Sequence, residues 1–289
     1  MHRPEPPPVV RRAYTDLPHG QVHLRRVQPA GPTGPTDPTD SAPPLVCLHM
    51  SPASGLVYET VMAQIGRTRT VLAPDTPGFG ASDPLPAYPG IGDYADVVIA
   101  LVEALQLPGP VDLMGYHTGS LTAVEVARRR PDLVRRIVAV SMPVFSEAEL
   151  VRFRALYSTD PIFTVDGERL LEKWRWFVEF FRVGRVNTVE HAARIFLARL
   201  SGGERHWWGH HAAFGYDVVP VLQELRTPLL VLNPDDDLTE HTRLAVPHLA
   251  SGEVLEVPRW THGFLDTAAA DAAALVTAYL DSGRVPAAP

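Results

Sequence analysis

The sequence predicts an α/β fold in which a mostly parallel central sheet is flanked by helices and carries an inserted helical segment. Three observations support this class. Short, wholly apolar runs alternate along the chain with segments whose apolar residues have helical spacing. The alternation stops after Met142, where a segment without strand signals begins. It resumes near residue 220, so we expect the two α/β portions to belong to one sheet.

Length, charge and cysteine content narrow the class of protein. The 289 residues are enough for one large domain with an insertion. A formal net charge of -7 argues against a nucleic-acid partner, whose binding requires neutralised phosphates. Cys47 is the only cysteine, which is typical of a reducing compartment. We find no signal peptide and no apolar run near the roughly 20 residues that span a bilayer, so we expect a cytoplasmic protein without a membrane partner.

The amino-terminal region predicts a hairpin between two proline-rich stretches. Residues 1–10 are expected to be disordered. Strands at 11–15 and 21–27 flank a Pro-His-Gly turn. Residues 29–44 contain so many prolines that we predict a surface loop with neither helix nor central strand.

The remaining elements follow from pattern and turn signals. Short apolar runs predict buried strands, and the segments between them predict helices. The strands are predicted at 45–49, 70–73, 111–115, 136–140, 228–233 and 253–257. The helices are predicted from about 56 to 66 and at 93–107, 121–130, 241–250 and 267–280.

The inserted segment, residues 144–219, is helical in pattern and rich in aromatic residues. It holds four of the five Trp and eight of the ten Phe. We interpret it as a cap over a core formed by residues 11–143 and 220–289. Most of these rings are expected to form the interior of the cap, while Trp174, Trp207 and Trp208 are candidates for lining a pocket.

The turn Gly115-Tyr116-His117-Thr118-Gly119 has the strand, sharp turn and helix pattern of a nucleophile elbow. Such a turn holds its central residue in a strained backbone conformation. Side chains at the two glycine positions would contact the neighbouring strand and helix. The central position holds His117, where Ser, Cys or Asp is usual.

Five motifs in this order resemble those of the α/β-hydrolase superfamily, over nearly the whole chain after residue 10. The elbow also resembles that of a bacterial subgroup with His-Thr-Gly at this position. The motifs are the turn 48–52, the loop 75–83, the elbow 115–119, Pro234-Asp235-Asp236-Asp237 and Trp260-Thr261-His262-Gly263.

The resemblance implies roles for particular residues. His117 stands at the nucleophile position, Asp237 at the position of the acid and His262 at that of the base, with Asp235 and Asp236 as competitors for the acid. The backbone N–H groups of Ser51 and Thr118 are the expected oxyanion donors. Met50, which replaces the usual glycine, and Tyr116 are expected beside the substrate.

The chemistry of His117 has three interpretations. A neutral imidazole could attack an acyl carbon directly, or it could act as a base with His262. Alternatively, the nucleophile has been lost and the protein only binds a ligand.

We therefore predict a hydrolase of small, fairly apolar ester, thioester or lactone-like substrates, without metal or cofactor. The alternatives are a lyase, cyclase or cofactor-free oxygenase, and a ligand-binding protein. The sequence leaves the oligomeric state open, a homodimer included.

Overall fold

Residues 8–29 and 42–289 are described by a computed structural model, and they form an eight-stranded sheet. The strands are β1 Arg11–Leu17, β2 Gly20–Val27, β3 Ala42–Leu48, β4 Arg69–Pro74, β5 Val111–Tyr116, β6 Val134–Val140, β7 Leu229–Pro234 and β8 Gly252–Val257. Their order is β1-β2-β4-β3-β5-β6-β7-β8. The pairs β1–β2 and β2–β4 are antiparallel, and the other neighbours are parallel. The predicted fold class is confirmed.

Helices connect the parallel strands and cover the sheet. They are α1 Glu59–Ile65, α2 Ile91–Ala104, α3 Thr118–Arg129, α4 Glu147–Leu156, α5 Glu168–Phe180, α6 Val189–Leu200, α7 Trp208–Phe214, α8 Val219–Glu224, α9 Thr239–Arg243, α10 Phe264–Thr267 and α11 Ala269–Ser282. Within the described residues, no helix is both long enough and apolar enough to cross a membrane.

The core lies on the two faces of the sheet. Alternate residues of β3 belong to different apolar clusters: Leu45 and Cys47 face α1 and α11, whereas Val46 and Leu48 face α2 and α3. This alternation follows from the two-residue period of a strand. Cys47 is fully buried, and burial raises the pKa of its thiol. The side chain is therefore a core residue, as the apolar run of β3 predicts.

Two predictions about secondary structure are wrong in part. Strand β3 begins at Ala42, so Pro43 and Pro44 lie in a strand and not in the predicted loop. The ladder tolerates them because its register with β4 shifts between Ala42 and Leu45. The predicted helix 241–250 is also interrupted: α9 ends at Arg243, and a 3-10 turn follows in which Pro247 cannot continue the α-helical ladder.

The predicted amino-terminal hairpin is confirmed, because β1 and β2 pair over their whole lengths. The disorder predicted for residues 1–7 and most of the loop predicted at 29–44 lie outside the described residues. Residues 8–10 precede β1 without regular structure.

Between β6 and α8 the described chain is helical, with α4, α5, α6 and α7 in succession. We call residues 144–219 the cap segment. Its interior is built from stacked rings: the Phe177 centroid is 4.9 Å from that of Phe181, and both side chains are buried. These rings also join the apolar cluster that contains α1 and α11, so the cap segment packs directly on the α/β core.

Candidate active site

The turn between β5 and α3 holds His117 at its apex. His117 has φ 49° and ψ -110°, a conformation that non-glycine residues rarely adopt. The glycines on either side, Gly115 and Gly119, allow β5 to pack closely on α3 and α3 to pack closely on β3. A Cβ on Gly115 would lie 2.4 Å from the Gly119 carbonyl oxygen, and a Cβ on Gly119 would lie 1.9 Å from that of Leu48. The geometry is therefore that of a strained elbow with an imidazole at the position of the nucleophile.

His117 forms a hydrogen bond with Asp236. The distance from His117 Nε2 to Asp236 Oδ2 is 2.9 Å. Asp236 also accepts hydrogen bonds from Ser141 Oγ and from the Leu238 backbone N–H, both at 2.8 Å. Its carboxylate is fully buried. Since an ionised carboxylate can only accept, Nε2 of His117 carries the proton in the neutral imidazole, and Nδ1 of that form keeps its lone pair.

His262 pairs with Asp237, the acid that the sequence predicts. His262 Nε2 lies 2.9 Å from Asp237 Oδ1, and Nδ1 is buried without a hydrogen-bond partner among the described residues. The ring centroids of His117 and His262 are 5.8 Å apart. The three predicted residues are thus brought together, but as two imidazole–carboxylate pairs and not as one relay. Asp236, considered in the sequence only as a competitor of Asp237, is the partner of His117.

Electrostatic forces on His117 oppose one another. Burial lowers the pKa of its imidazole. The charge and hydrogen bond of Asp236 and the charge of Asp237 raise this pKa, and because their combined effect exceeds that of burial, the pKa lies above its usual value. Asp236 and Asp237 are affected in the opposite sense. Although burial raises the pKa of each carboxyl, the neighbouring imidazoles bring both pKa values below the usual one. Both carboxylates are therefore ionised at neutral pH.

The expected oxyanion donors lie beside the elbow. Thr118 is the first residue of α3, so its backbone N–H has no acceptor inside the helix, and the positive end of the helix dipole lies there. Ser51 is buried, and its hydroxyl has no hydrogen-bond partner among the described residues. Gly209 in α7 packs against it: a Cβ at that position would lie 2.0 Å from Ser51 Oγ. The cap segment is thus in direct contact with this turn.

The residues predicted to contact substrate occupy different environments. Met50 and Tyr116 are buried in the apolar cluster below the site, and the Tyr116 ring packs edge-on against His117 at 4.7 Å. Trp174 packs on Phe196 inside the cap segment, 5.0 Å between centroids. None of these three lines the cavity formed mainly by the cap segment, whereas Trp207 does.

That cavity has a volume of about 230 Å³ and is formed mainly by the cap segment, which supplies every lining residue except Pro52. Its walls include Pro52, which follows Ser51 in the chain, and Trp207. Trp208 packs instead near Tyr88, 6.3 Å between ring centroids. Sequence reasoning missed Arg199 and Tyr157, which also line the cavity.

One group of residues in the described part of the chain has the composition of a metal site. Ligand atoms of His117, Asp236 and Asp237 all lie within 4.8 Å of one another. However, the Asp236 oxygen that faces His117 already accepts two hydrogen bonds, from His117 and from Ser141. A metal ion at this position would have to displace the hydrogen bond that orients the imidazole.

Comparison with known proteins agrees with the fold. The model of the alpha/beta hydrolase fold family matches residues 43–160. The crystal structure of the enol-lactonase from Burkholderia xenovorans superposes with a TM-score of 0.73 at 17% identity and covers 93% of this chain and 100% of that one. An esterase from Exiguobacterium antarcticum superposes with a TM-score of 0.74 at 15% identity, covering 93% and 99%. Together with the sheet order and the elbow, these findings show that the chain has the α/β-hydrolase fold.

Several curated relatives have names that describe a hydrolase or an esterase. A 2-(acetamidomethylene)succinate hydrolase from Mesorhizobium japonicum is 31% identical over 38% of this chain and 39% of that enzyme. A pimeloyl-(acyl-carrier protein) methyl ester esterase from Aeromonas salmonicida is 27% identical over 72% of this chain and 74% of that enzyme. The chain spans half or less of the first two curated relatives, 39% and 50% of their lengths.

Proposed function

We propose that the protein is a cofactor-free hydrolase of small ester, thioester or lactone-like substrates, with His117 as the reacting group. One observation carries this proposal: the strained elbow presents an imidazole whose Nε2 is held by Asp236. That hydrogen bond leaves Nδ1 as the nitrogen with a lone pair, in a side chain that is still 15% exposed. The hydrolase names of the relatives support the same class of reaction.

In the proposed reaction, Nδ1 of His117 attacks the acyl carbon and the carbonyl electrons move to oxygen. Backbone N–H groups of Thr118 and Ser51 stabilise the oxyanion. Collapse of this intermediate expels the alkoxide or thiolate, which takes up a proton from water, and leaves an acyl-imidazolium whose positive charge faces Asp236. Water then adds to the acyl carbon and releases the acid. We assign activation of that water to the His262–Asp237 pair beside the elbow.

A panel of activated aryl esters in water labelled with oxygen-18 tests this function. The proposal predicts turnover by the wild type, with one labelled oxygen in the acid product. Rapid acid quenching followed by intact-mass measurement distinguishes the two modes of His117. A transient mass increase equal to the acyl group supports direct attack by the imidazole, and its absence during turnover supports general-base activation of water. No turnover, with tight ligand binding, would indicate a ligand-binding protein instead.

A second candidate is a non-hydrolytic enzyme on the same fold, such as a lyase, a cyclase or a cofactor-free oxygenase. The observation in its favour is that the two imidazoles are paired with different carboxylates. Each could therefore move a proton on its own, one removing it from the substrate and the other returning it. Product without oxygen from labelled water would favour this candidate over hydrolysis.

A further inference from the structure

The cavity of the cap segment contains a cation, Arg199, that forms no ion pair with the described residues. Its apolar wall is formed by side chains such as Ile162, Trp176 and Phe196. Arg199, from the last turn of α6, projects into this surface. The guanidinium carbon lies 5.7 Å from the ring centroid of Trp176 and 5.4 Å from that of Phe177. These aromatic faces hold the guanidinium in place from one side.

Arg199 forms no ion pair within the described part of the chain, although the charge of Asp237 acts on it from beyond ion-pair distance. No Asp or Glu oxygen of the described residues lies within 4.0 Å of it, and it donates no hydrogen bond there. Arg194, five residues earlier in α6, contrasts with this: it pairs with Glu59 at 3.1 Å and Asp266 at 2.8 Å. A cation withdrawn from water is normally paired with an anion. The guanidinium N–H donors of Arg199 are therefore available to bind an anion from outside the chain.

Neither His117 nor His262 lines the cavity, but one wall of it is linked to the site through two ring contacts. The Trp176 ring stacks on Phe180 at 4.5 Å, and Phe180 in turn lies 4.0 Å from the His262 ring. The positive charge of Arg199 also acts on His117. It lowers the pKa of His117 and so opposes the effect of Asp236 and Asp237. Arg199 is therefore close enough to the elbow for its charge to act there.

The other polar groups that line the cavity do not provide a partly buried fixed charge. Glu172 and Lys173 line it but are exposed, so their charges are hydrated. His210 packs on Tyr157 at 4.0 Å, and burial lowers the pKa of its imidazole well below the usual value, so it is neutral at pH 7. Arg199 is the partly buried fixed charge of this surface.

We propose that Arg199 binds the carboxylate of an acidic substrate whose hydrolysable acyl group reaches His117 across the apolar wall. The substrate class is then a small acid with an ester, thioester or lactone group separated from the carboxylate by a short apolar stretch. A guanidinium binds a carboxylate through two parallel N–H donors, which fixes orientation as well as charge. The proposal rests on the proposed hydrolase function, and it adds a carboxylate to the small, fairly apolar substrate that the sequence predicts.

A pair of matched substrates tests the subsite: the mono-4-nitrophenyl ester of adipic acid, and the same ester with a primary amide in place of the carboxylate. We expect the wild type to prefer the acid in kcat/KM, mainly through KM. In Arg199→Met this preference should fall about 10- to 100-fold, the range for a lost hydrogen-bonded charge pair, and Arg199→Lys should retain part of it. A preference unchanged in Arg199→Met would overturn the proposal.

Arg152→Met is the matched control. Arg152 is also a cation over an aromatic ring, 5.0 Å from the Phe153 centroid, but it is exposed and does not line the cavity. Its removal should leave the ratio of the two kcat/KM values unchanged. If Arg152→Met lowers the ratio as much as Arg199→Met does, the preference reflects net charge and not a subsite, and the proposal is wrong.

Calorimetric binding of adipate and adipamide separates this proposal from the proposed function, because neither compound can be hydrolysed at an ester. Adipate binding that exceeds adipamide binding in the wild type, and is lost in Arg199→Met, supports the subsite even if no ester is turned over. In that case only the hydrolase function fails. Equal turnover of both esters, with no preference for adipate, refutes the subsite and leaves the hydrolase function standing.

Discussion

At the scale of single residues, the hydrogen bond between His117 and Asp236 decides which imidazole nitrogen can react. It holds the proton on Nε2, and together with the nearby Asp237 it raises the pKa of His117 against the effect of burial. In the proposed reaction only the neutral imidazole is active. We therefore expect kcat/KM to rise with pH through an apparent pKa above about 6.5, the unperturbed value for histidine.

Asp236→Asn tests the origin of that pKa. Removing the carboxylate charge makes the protonated imidazole less stable, so the acidic limb of the pH profile should move to lower pH. Turnover should also fall, because an amide can present an N–H that favours the wrong tautomer. The measurement is kcat/KM from pH 5 to 9.

Asp235→Asn is the control for this experiment. It removes one negative charge from the neighbouring residue, whose exposed side chain pairs with Arg182 at 3.0 Å and not with an imidazole. Its pH profile should coincide with that of the wild type. An acidic limb that stays in place in Asp236→Asn, or moves to higher pH, would contradict the assigned role of Asp236.

Metal removal gives a separate prediction for the same residues. Although His117, Asp236 and Asp237 could surround an ion, the Asp236 oxygen nearest to His117 already accepts two hydrogen bonds. We expect ester hydrolysis to be unchanged after dialysis against EDTA. Added Zn²⁺ should inhibit by occupying His117, since imidazole and carboxylate are zinc ligands. Loss of activity on dialysis, restored by Zn²⁺, would show a metal-dependent enzyme.

At the scale of elements, the elbow depends on close contact between α3 and β3. A Cβ on Gly119 would lie 1.9 Å from the Leu48 carbonyl oxygen, which is backbone and cannot rotate away. Gly119→Ala should therefore lower the free energy of unfolding by roughly 1–3 kcal/mol or more, measured by urea denaturation.

Gly92→Ala in α2 is the comparison. There a new Cβ would meet the end of the flexible Arg129 side chain, at 2.3 Å, and alanine favours a helix over glycine by up to about 1 kcal/mol. Its stability should be equal to or above that of the wild type. If Gly119→Ala were as stable as Gly92→Ala, the packing account of the elbow would be wrong.

At the scale of the whole molecule, the fold was predictable because its signals are repeated along the chain. Apolar runs of strand length and turn residues placed most strands within a few residues of their observed bounds. The exceptions depend on how strands pair and on where a proline interrupts a helix. Pro43 and Pro44 enter β3 because the register shifts there, and Pro247 divides the predicted helix after α9. Neither feature is visible in periodicity alone.

The site was only partly predictable. Motif order predicted His117, Asp237 and His262 as site residues, and the fold brings them close together. It could not assign a partner to each imidazole, because the consecutive carboxylates after β7 differ only in the direction in which the turn points them. In the folded chain Asp236 points to His117 and Asp237 to His262. Arg199 was missed because its significance lies in the absence of a carboxylate partner among the described residues, which is a property of tertiary contacts. A net charge of -7 gives no sign of such a local cation.

The most direct test of the central claim compares kcat/KM for an activated aryl ester in wild type, His117→Ala and Ser120→Ala. Ser120 is the nearby hydroxyl that could replace His117 as nucleophile, but it is buried and donates to the Val140 carbonyl at 3.0 Å. We expect His117→Ala to lose about 100-fold or more, the scale of a lost acid–base or nucleophilic group, and Ser120→Ala to keep its activity. Full activity in His117→Ala would show that the imidazole at the elbow takes no part in the reaction.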